Sequence, residues 1–297
     1  MHTALLLEMA ADALSDRIAT GSLRDGVSFA ELAARARAGG VFLDEMDAVT
    51  VVFIGLNGPT LPAALFASAE IGRPFAPLNY RLPDVELRRL LARTAPSVAI
   101  VDDDMAGRVE GVEGVILVAR SEFEAACVDP QNRAAERPAA DHDIAVLLFT
   151  SGTTGEPKVA VLRHRHLASY VISTVEFMHA EDDEAALVSV PPYHVAGVAA
   201  ILTTLYAGRR ICYLPAFTPE AWVETAAAEK ITHAMLVPTM LAVHENEVVL
   251  RRPQALKRLG SIHCRIGAKT KIFKLVKDKD PVKFVVFSDQ DQGRRAP

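Results

Sequence analysis

The sequence predicts an α/β fold, with parallel-sheet layers flanked by helices. Three observations predict it. Short β-branched apolar runs alternate with segments of helical periodicity over most of the chain. Half of the 297 residues are hydrophobic, which is enough to bury a sizeable core and to exclude global disorder. The longest mostly apolar run, Val195 to Gly208, has 14 residues, so it reads as a buried helix. A membrane span needs about 20.

The elements run in order along the chain. Met1 to Thr20 has amphipathic helical spacing. It lacks a basic leading region, and Glu8 cuts its apolar run short, so it does not read as a secretory signal. Val27 to Ala38 reads as a short strand entering a helix. Asp47 to Gly55 carries Val49, Thr50, Val51, Val52 and Ile54 and ends in Gly, the pattern of a buried strand. Thr60 to Gly72 is helical, with Pro62 tolerated in its first turn. Phe75 to Leu78 is extended, Pro83 to Arg93 helical, and Ser97 to Val101 a strand ended by Asp102-Asp103-Asp104, read as a solvated turn. Val115 to Val118 is another strand, and the polar stretch Pro130 to Asp143 a surface connection. Strands are then expected at Ile144 to Phe149, Val159 to Leu162, Ala186 to Val190, Arg210 to Tyr213 and Ala234 to Val237. Helices are expected at Arg165 to Met178, Val198 to Tyr206 and Pro219 to Lys230.

Cys127, Cys212 and Cys264 are far apart and form no CxxC pair, so no zinc or redox motif is indicated. Free thiols suit a reducing, cytoplasmic setting. The net charge of −5 hides an asymmetry. Residues 251–297 carry 13 basic and 4 acidic side chains, a net of +9, against −14 for the first 250 positions. Lysine, almost confined to Lys158 and Lys230 before that point, becomes common after it, and alanine nearly vanishes. A basic tail of this kind can bind acidic partners, but it has no interleaved aromatic platform or motif for nucleic acid.

The chemistry is concentrated at Thr150-Ser151-Gly152-Thr153-Thr154-Gly155-Glu156-Pro157-Lys158, directly after a strand. Gly152 and Gly155 let the backbone approach a ligand closely. Successive amides in such a turn form an anion-binding hollow. The hydroxyls of Thr150, Ser151, Thr153 and Thr154 add donors, and Lys158 adds a compact positive charge. The pattern is not G-x-x-x-x-G-K-[ST], because Gly152 and Gly155 are too close and Val159 comes after the lysine. The competing reading is an ordinary polar turn between strands.

The loop resembles the ATP signature of the adenylate-forming superfamily, which includes acyl-CoA synthetases, luciferases and peptide-synthetase adenylation domains. Asn79-Tyr80-Arg81-Leu82-Pro83 after Ala76-Pro77-Leu78, and Ser28-Phe29-Ala30-Glu31-Leu32, resemble two further signatures. His164 and Arg165 stand where that superfamily often opens a helix. The resemblance implies a large N-terminal domain of that superfamily, present in part. It implies that Thr150, Ser151, Gly152, Thr153, Thr154, Gly155 and Lys158 hold ATP phosphates while a carboxylate attacks the α-phosphorus. Mg2+ and CoA are implied as well.

Pro191-Pro192-Tyr193-His194-Val195-Ala196-Gly197 resembles the substrate-side signature of acid–CoA ligases. That likeness implies an acyl pocket at His194, Val195, Ala196 and Gly197, with His194 as the catalytic residue facing the carboxylate. A satisfied core histidine is the competing reading. No Asp or Glu occurs between Pro191 and Pro219 to pair a substrate ammonium, so a fatty or aromatic acid is expected over an amino acid. Pro238-Thr239-Met240-Leu241 resembles a further pocket-lining turn, or is equally an ordinary strand end. No metal site is expected from Asp102-Asp103-Asp104, from His164 and His166, or from Asp141-His142-Asp143, which reads as surface.

The resemblance spans residues 1–265. Ser261 to Ala268 is a distorted match to the superfamily's adenine-side turn. No Tyr-Gly-x-Thr-Glu segment, which holds adenine and magnesium in that superfamily, occurs here, nor does the small closing domain with its catalytic lysine. Residues 266–297 are therefore expected to be a basic, out-of-family tail and the chain a truncated ligase. A catalytically inactive nucleotide-binding remnant is the alternative.

Overall fold

The computed structural model describes residues 1–134, 143–150 and 157–235, together with the backbone of three strands at 262–266, 269–276 and 283–288. Helix α1 (Ala4–Ala13) leads into β1 (Ile18–Thr20) and β2 (Val27–Ser28). The helix expected over Met1 to Thr20 thus ends at Ala13, and the residues after it turn into a strand. Ser28 caps α2 (Phe29–Asp44), its hydroxyl accepting from the Glu31 amide at 3.2 Å. The chain continues through β3 (Thr50–Ile54), α3 (Thr60–Glu70), β4 (Phe75–Pro77), α4 (Asp84–Ala92), β5 (Ser97–Val101), α5 (Ala106–Val109) and β6 (Val115–Ala119). Helices α6 (Arg120–Val128) and α7 (Pro130–Ala134) come next, so the expected surface connection begins as a helix. Then come β7 (Ile144–Thr150), β8 (Lys158–Arg163), α8 (His164–Thr174), β9 (Ala185–Val188), α9 (Val195–Tyr206), β10 (Arg210–Tyr213), α10 (Pro219–Ala228) and β11 (His233–Met235). Three further strands, β12 (Ile262–Ile266), β13 (Lys269–Val276) and β14 (Lys283–Ser288), lie beyond them.

Two sheets organise these elements. The first has the order β6-β5-β3-β4-β7-β8 and is parallel except for the β7–β8 hairpin. Its central strand β3 is buried at all five positions, as a strand covered on both faces must be. Helix α2 packs against both α3 and α6. Glycine is required there: a Cβ on Gly39 would stand 2.8 Å from the Phe123 ring and 2.9 Å from the Cys127 sulfur. Phe29, Phe53, Phe66, Phe75 and Phe123 are fully buried among the aliphatic side chains of this core. Burying each such side chain contributes about 1.5–3 kcal/mol before entropy is charged.

The second sheet has the order β14-β13-β12-β11-β9-β10-β1-β2. Strands β1, β10, β9, β11 and β12 are parallel; β13 and β14 extend the sheet as an antiparallel meander. The sequence reading assigns no element to that basic segment, and the pairing of β13 and β14 adds to it. Two buried arginines tie the start of β10 to its surroundings. Arg209 pairs with Glu184 at 2.5 Å, and Arg210 with Glu229 at 2.9 Å. The rings of His2 and His164 stack with centroids 3.5 Å apart, and His164 Nδ1 lies 2.8 Å from the Thr3 hydroxyl. Cys127 and Cys212 are buried thiols outside any disulfide, and burial pushes the Cys212 pKa up to about 12. Among the described residues, no helix is long and apolar enough to cross a membrane.

Candidate functional site

The expected phosphate loop is the connection of the β7–β8 hairpin. Thr150 is the last residue of β7, Lys158 the first of β8, and the two are paired in register. Thr150 Oγ1 donates to the Lys158 carbonyl at 3.3 Å, and both residues are exposed. Ser151, Gly152, Thr153, Thr154 and Gly155 lie outside the described residues, as do Asp141, His142 and the turn at Pro238.

The hairpin forms one wall of a cavity of about 740 Å³. Leu148, Phe149, Thr150, Pro157, Ala160 and Leu162 line it from that side. Tyr193, His194 and Val195 line it from the second sheet. The turn Val190 to His194 leaves β9, and His194 caps α9 in an extended conformation. Val195 is 55% exposed, Ala196 is half-buried, and Gly197 is buried beneath the turn, where a Cβ would meet the Pro191 carbonyl at 3.0 Å. Of the expected acyl-pocket residues, His194 and Val195 therefore face the cavity, while Gly197 supports the turn from below.

The third wall joins the Asn79–Pro83 signature to helix residues that no sequence motif marks. Glu86, Arg89 and Leu90 on α4, with Arg93 at its C-cap, line the cavity together with Asn79 and Leu82. The spacing i, i+3, i+4, i+7 puts those four on one helix face, a signal present in the sequence but masked by the core stripe Leu87, Leu90, Leu91. The Arg93 guanidinium donates to the Pro157 carbonyl at 2.9 Å and lies over the Phe149 ring at 5.7 Å, bracing the base of the loop.

An aromatic chain connects the walls. Arg81 stands 5.6 Å from the Tyr80 ring, Tyr80 meets Tyr193 edge-on at 5.7 Å, and Tyr193 lies 4.7 Å from the His194 ring. Partial burial, and then the positive charge of Arg81, lower the His194 pKa. The imidazole is thus neutral at pH 7. Burial likewise raises the Tyr193 pKa and keeps its hydroxyl protonated.

Of the three clustered aspartates, Asp102 is not in a solvated turn. It is buried, accepts from the Leu56 amide at 2.8 Å and pairs with Arg120 at 2.9 Å. Desolvation raises its pKa against the lowering influence of the Leu56 amide and Arg120. Asp143 is exposed and pairs with Arg163 at 2.5 Å. Among the described residues no group of three or more His, Cys, Asp or Glu side chains is placed to hold a metal ion.

The chain also matches a protein-family model. The model described as AMP-binding enzyme matches residues 7–271. The chain belongs to the AMP-binding enzyme family. The chain is 33% identical over 193 residues to a feruloyl-CoA synthase of Amycolatopsis sp, a match covering 64% of this chain and 38% of that protein. It is 31% identical over 217 residues to an indoleacetate–CoA ligase of Aromatoleum aromaticum, covering 69% and 42% respectively. The chain thus spans about two fifths of the length of these relatives. Its fold is similar to that of ATP-bound MatB from Rhodopseudomonas palustris, with a TM-score of 0.70 at 22% identity, covering 90% of this chain and 60% of that one.

Proposed function

We propose that this chain carries the phosphate and acid sites of an AMP-forming acid–CoA ligase acting on a fatty or aromatic acid. The observation that carries this reading is the cavity whose walls are the Thr150–Lys158 hairpin and the His194 turn. The hairpin loop holds the β- and γ-phosphates of ATP, with Lys158 and the hydroxyls at Thr150, Ser151, Thr153 and Thr154 as donors and Gly152 and Gly155 allowing close approach. The acid lies in the cavity with its carboxylate toward His194. A carboxylate oxygen attacks the α-phosphorus, the bond to the bridging oxygen breaks, and pyrophosphate leaves with its electron pair. The thiolate of CoA then displaces AMP from the acyl carbon. A neutral His194 can contact the carboxylate without locking it in an ion pair. Positioning and charge neutralisation supply the catalysis.

A fatty or aromatic acid is supported by the lining: Leu82, Leu90, Leu148, Phe149, Leu162 and Tyr193 are apolar or aromatic. The similarity to ligases named for feruloyl and indoleacetate substrates points the same way. Mg2+ is expected with the nucleotide. A second reading, nucleotide binding without turnover by this stretch alone, is favoured by the 38% share of the feruloyl-CoA synthase that it matches. The test is pyrophosphate release from ATP with a panel of fatty and aryl acids, beside calorimetric titration with ATP. Acid-dependent release supports the ligase reading. ATP binding without release supports the second. Absence of ATP binding defeats both.

A further inference from the structure

Asn57 is 4% exposed, in the loop between β3 and α3, and its Nδ2 donates to the Val190 carbonyl at 3.0 Å. The direction of this bond is fixed, because a carbonyl oxygen only accepts. It crosses from the six-stranded sheet to the eight-stranded one, since Asn57 comes after β3 and Val190 after β9. The residues after Val190 make the bond matter. Pro191 and Pro192 have no amide hydrogen with which to anchor the turn. The next backbone bonds are local: the His194 amide to the Pro191 carbonyl at 3.2 Å, and the Gly197 amide to the His194 carbonyl at 2.9 Å.

Asn57 is itself held in place. The Leu56 amide donates to Asp102 and the Leu56 carbonyl accepts from Arg120 at 2.7 Å, so a buried ion pair grips the peptide beside it on both sides. Asn57 Oδ1 is buried without a hydrogen-bond partner among the described residues. A buried amide with one arm unsatisfied is a poor choice for packing alone. Its donor arm is what the site uses.

We infer that Asn57 is a positioning residue for His194, fixing the Val190 carbonyl and thereby the Pro191-Pro192-Tyr193-His194 turn against the sheet that carries the β7–β8 hairpin. The inference rests on His194 facing the acid, as in the proposed function. Asn57 touches no substrate; it sets the gap between the acid on one sheet and the phosphates on the other. A misplacement of about 1 Å in such a gap can slow reaction about 100-fold.

The test compares Asn57→Ala and the isosteric Asn57→Asp with the unsubstituted chain. Ser68→Ala serves as a control, since it removes the hydrogen bond from a buried hydroxyl to the Arg73 carbonyl, a bond that does not involve the turn. The main readout is the His194 imidazole signal by NMR, assigned through His194→Gln. Binding of ferulate and indoleacetate by equilibrium dialysis is measured alongside, with ATP binding by calorimetry. The expected result is a displaced His194 signal, a titration midpoint moved up toward that of an ordinary histidine, and acid binding about 10-fold weaker, the loss of one good hydrogen bond. ATP binding should be unchanged. Ser68→Ala should lower the melting temperature and leave His194 where it was. If Asn57→Ala does not fold, Asn57→Asp decides. His194 signals that overlay those of the unsubstituted chain in a folded variant overturn the inference, as does an equal displacement in Ser68→Ala. Failure of the unsubstituted chain to bind acid or release pyrophosphate would remove the proposed function, yet the His194 comparison would still decide the role of Asn57.

Discussion

Thr150 and Lys158 face each other across the β7–β8 hairpin, and the Thr150 hydroxyl closes on the Lys158 carbonyl at 3.3 Å. The neck of the loop is therefore held by the strand ladder itself. The Lys158 backbone cannot drift away from the loop without unzipping β8, so its side chain starts from a set position. Arg93 adds a brace from outside through the Pro157 carbonyl.

Lys158→Met should weaken ATP binding by about 10- to 100-fold, the usual range for one charge-assisted hydrogen bond to phosphate. The side chain is exposed, so the melting temperature should stay within a degree or two of the original, as expected for about 0.5 kcal/mol or less at a surface site. Calorimetric titration with ATP checks this. Unaltered affinity would detach the hairpin from nucleotide binding.

His194 gives a pH prediction. Its pKa is lowered by burial and by Arg81, so the folded chain binds fewer protons than the unfolded one between the folded value and about 6.5. Stability must then fall as pH drops through that window and be unaffected by this group above it. The residue is only partly buried, so the slope is shallow. In His194→Gln the melting temperature should decline less between pH 7 and pH 5 than in the unsubstituted chain. Parallel curves would contradict the lowered pKa.

The Arg120–Asp102 pair is a test of the fold beneath the site. The side chains are 20% and 9% exposed, so removing the cation strands a buried carboxylate. Arg120→Met should destabilise the chain by about 3–5 kcal/mol at pH 7. Asp102 already has a raised pKa, and losing Arg120 raises it further. Protonation then relieves the stranded charge, so the deficit should shrink as pH falls toward 5. Urea denaturation at the two pH values measures this, and a deficit that grows on acidification would refute it.

Sequence range decides which elements are legible in the chain. β5 and β10 appear at their expected bounds because each is a compact apolar run. The phosphate loop is visible because glycines and hydroxyls are concentrated after a strand. β1 is hidden because Ile18–Thr20 is only three residues long and is held by its pairing with β2 and, across most of the chain, with β10. α6 is hidden because it buries just Phe123, Ala126 and Cys127, too thin a stripe to read as periodicity. β13 and β14 are obscured by a lysine-rich composition in which charge dominates the local pattern. Phe284-Val285-Val286-Phe287 nonetheless carries the strand signal. Asp102 looks solvated because its partners, the Leu56 amide and Arg120, are distant in sequence.

Gly197 poses two opposed effects whose balance can be measured. Alanine in place of glycine inside α9 should stabilise the helix by about 0.5–1 kcal/mol. Against this, the new Cβ would stand 3.0 Å from the Pro191 carbonyl and 3.5 Å from the Pro192 Cα, both backbone atoms that cannot swing aside. The Pro191 carbonyl also accepts from the His194 amide at 3.2 Å, so any displacement passes directly to His194. The two terms nearly cancel in stability, and Gly197→Ala should melt within a few degrees of the original, as a net change of about 1 kcal/mol or less implies. Acid handling does not share in that cancellation. The turn must move by a few tenths of an ångström, and affinity for the acid should fall several-fold while ATP affinity holds. Gly197→Val adds bulk that crowds the same carbonyl further and should lose about 1–3 kcal/mol as well. Equilibrium dialysis with ferulate, beside thermal melts of both variants, separates the two effects. An alanine variant that binds acid as well as the original would show that the Pro191 turn does not shape the pocket.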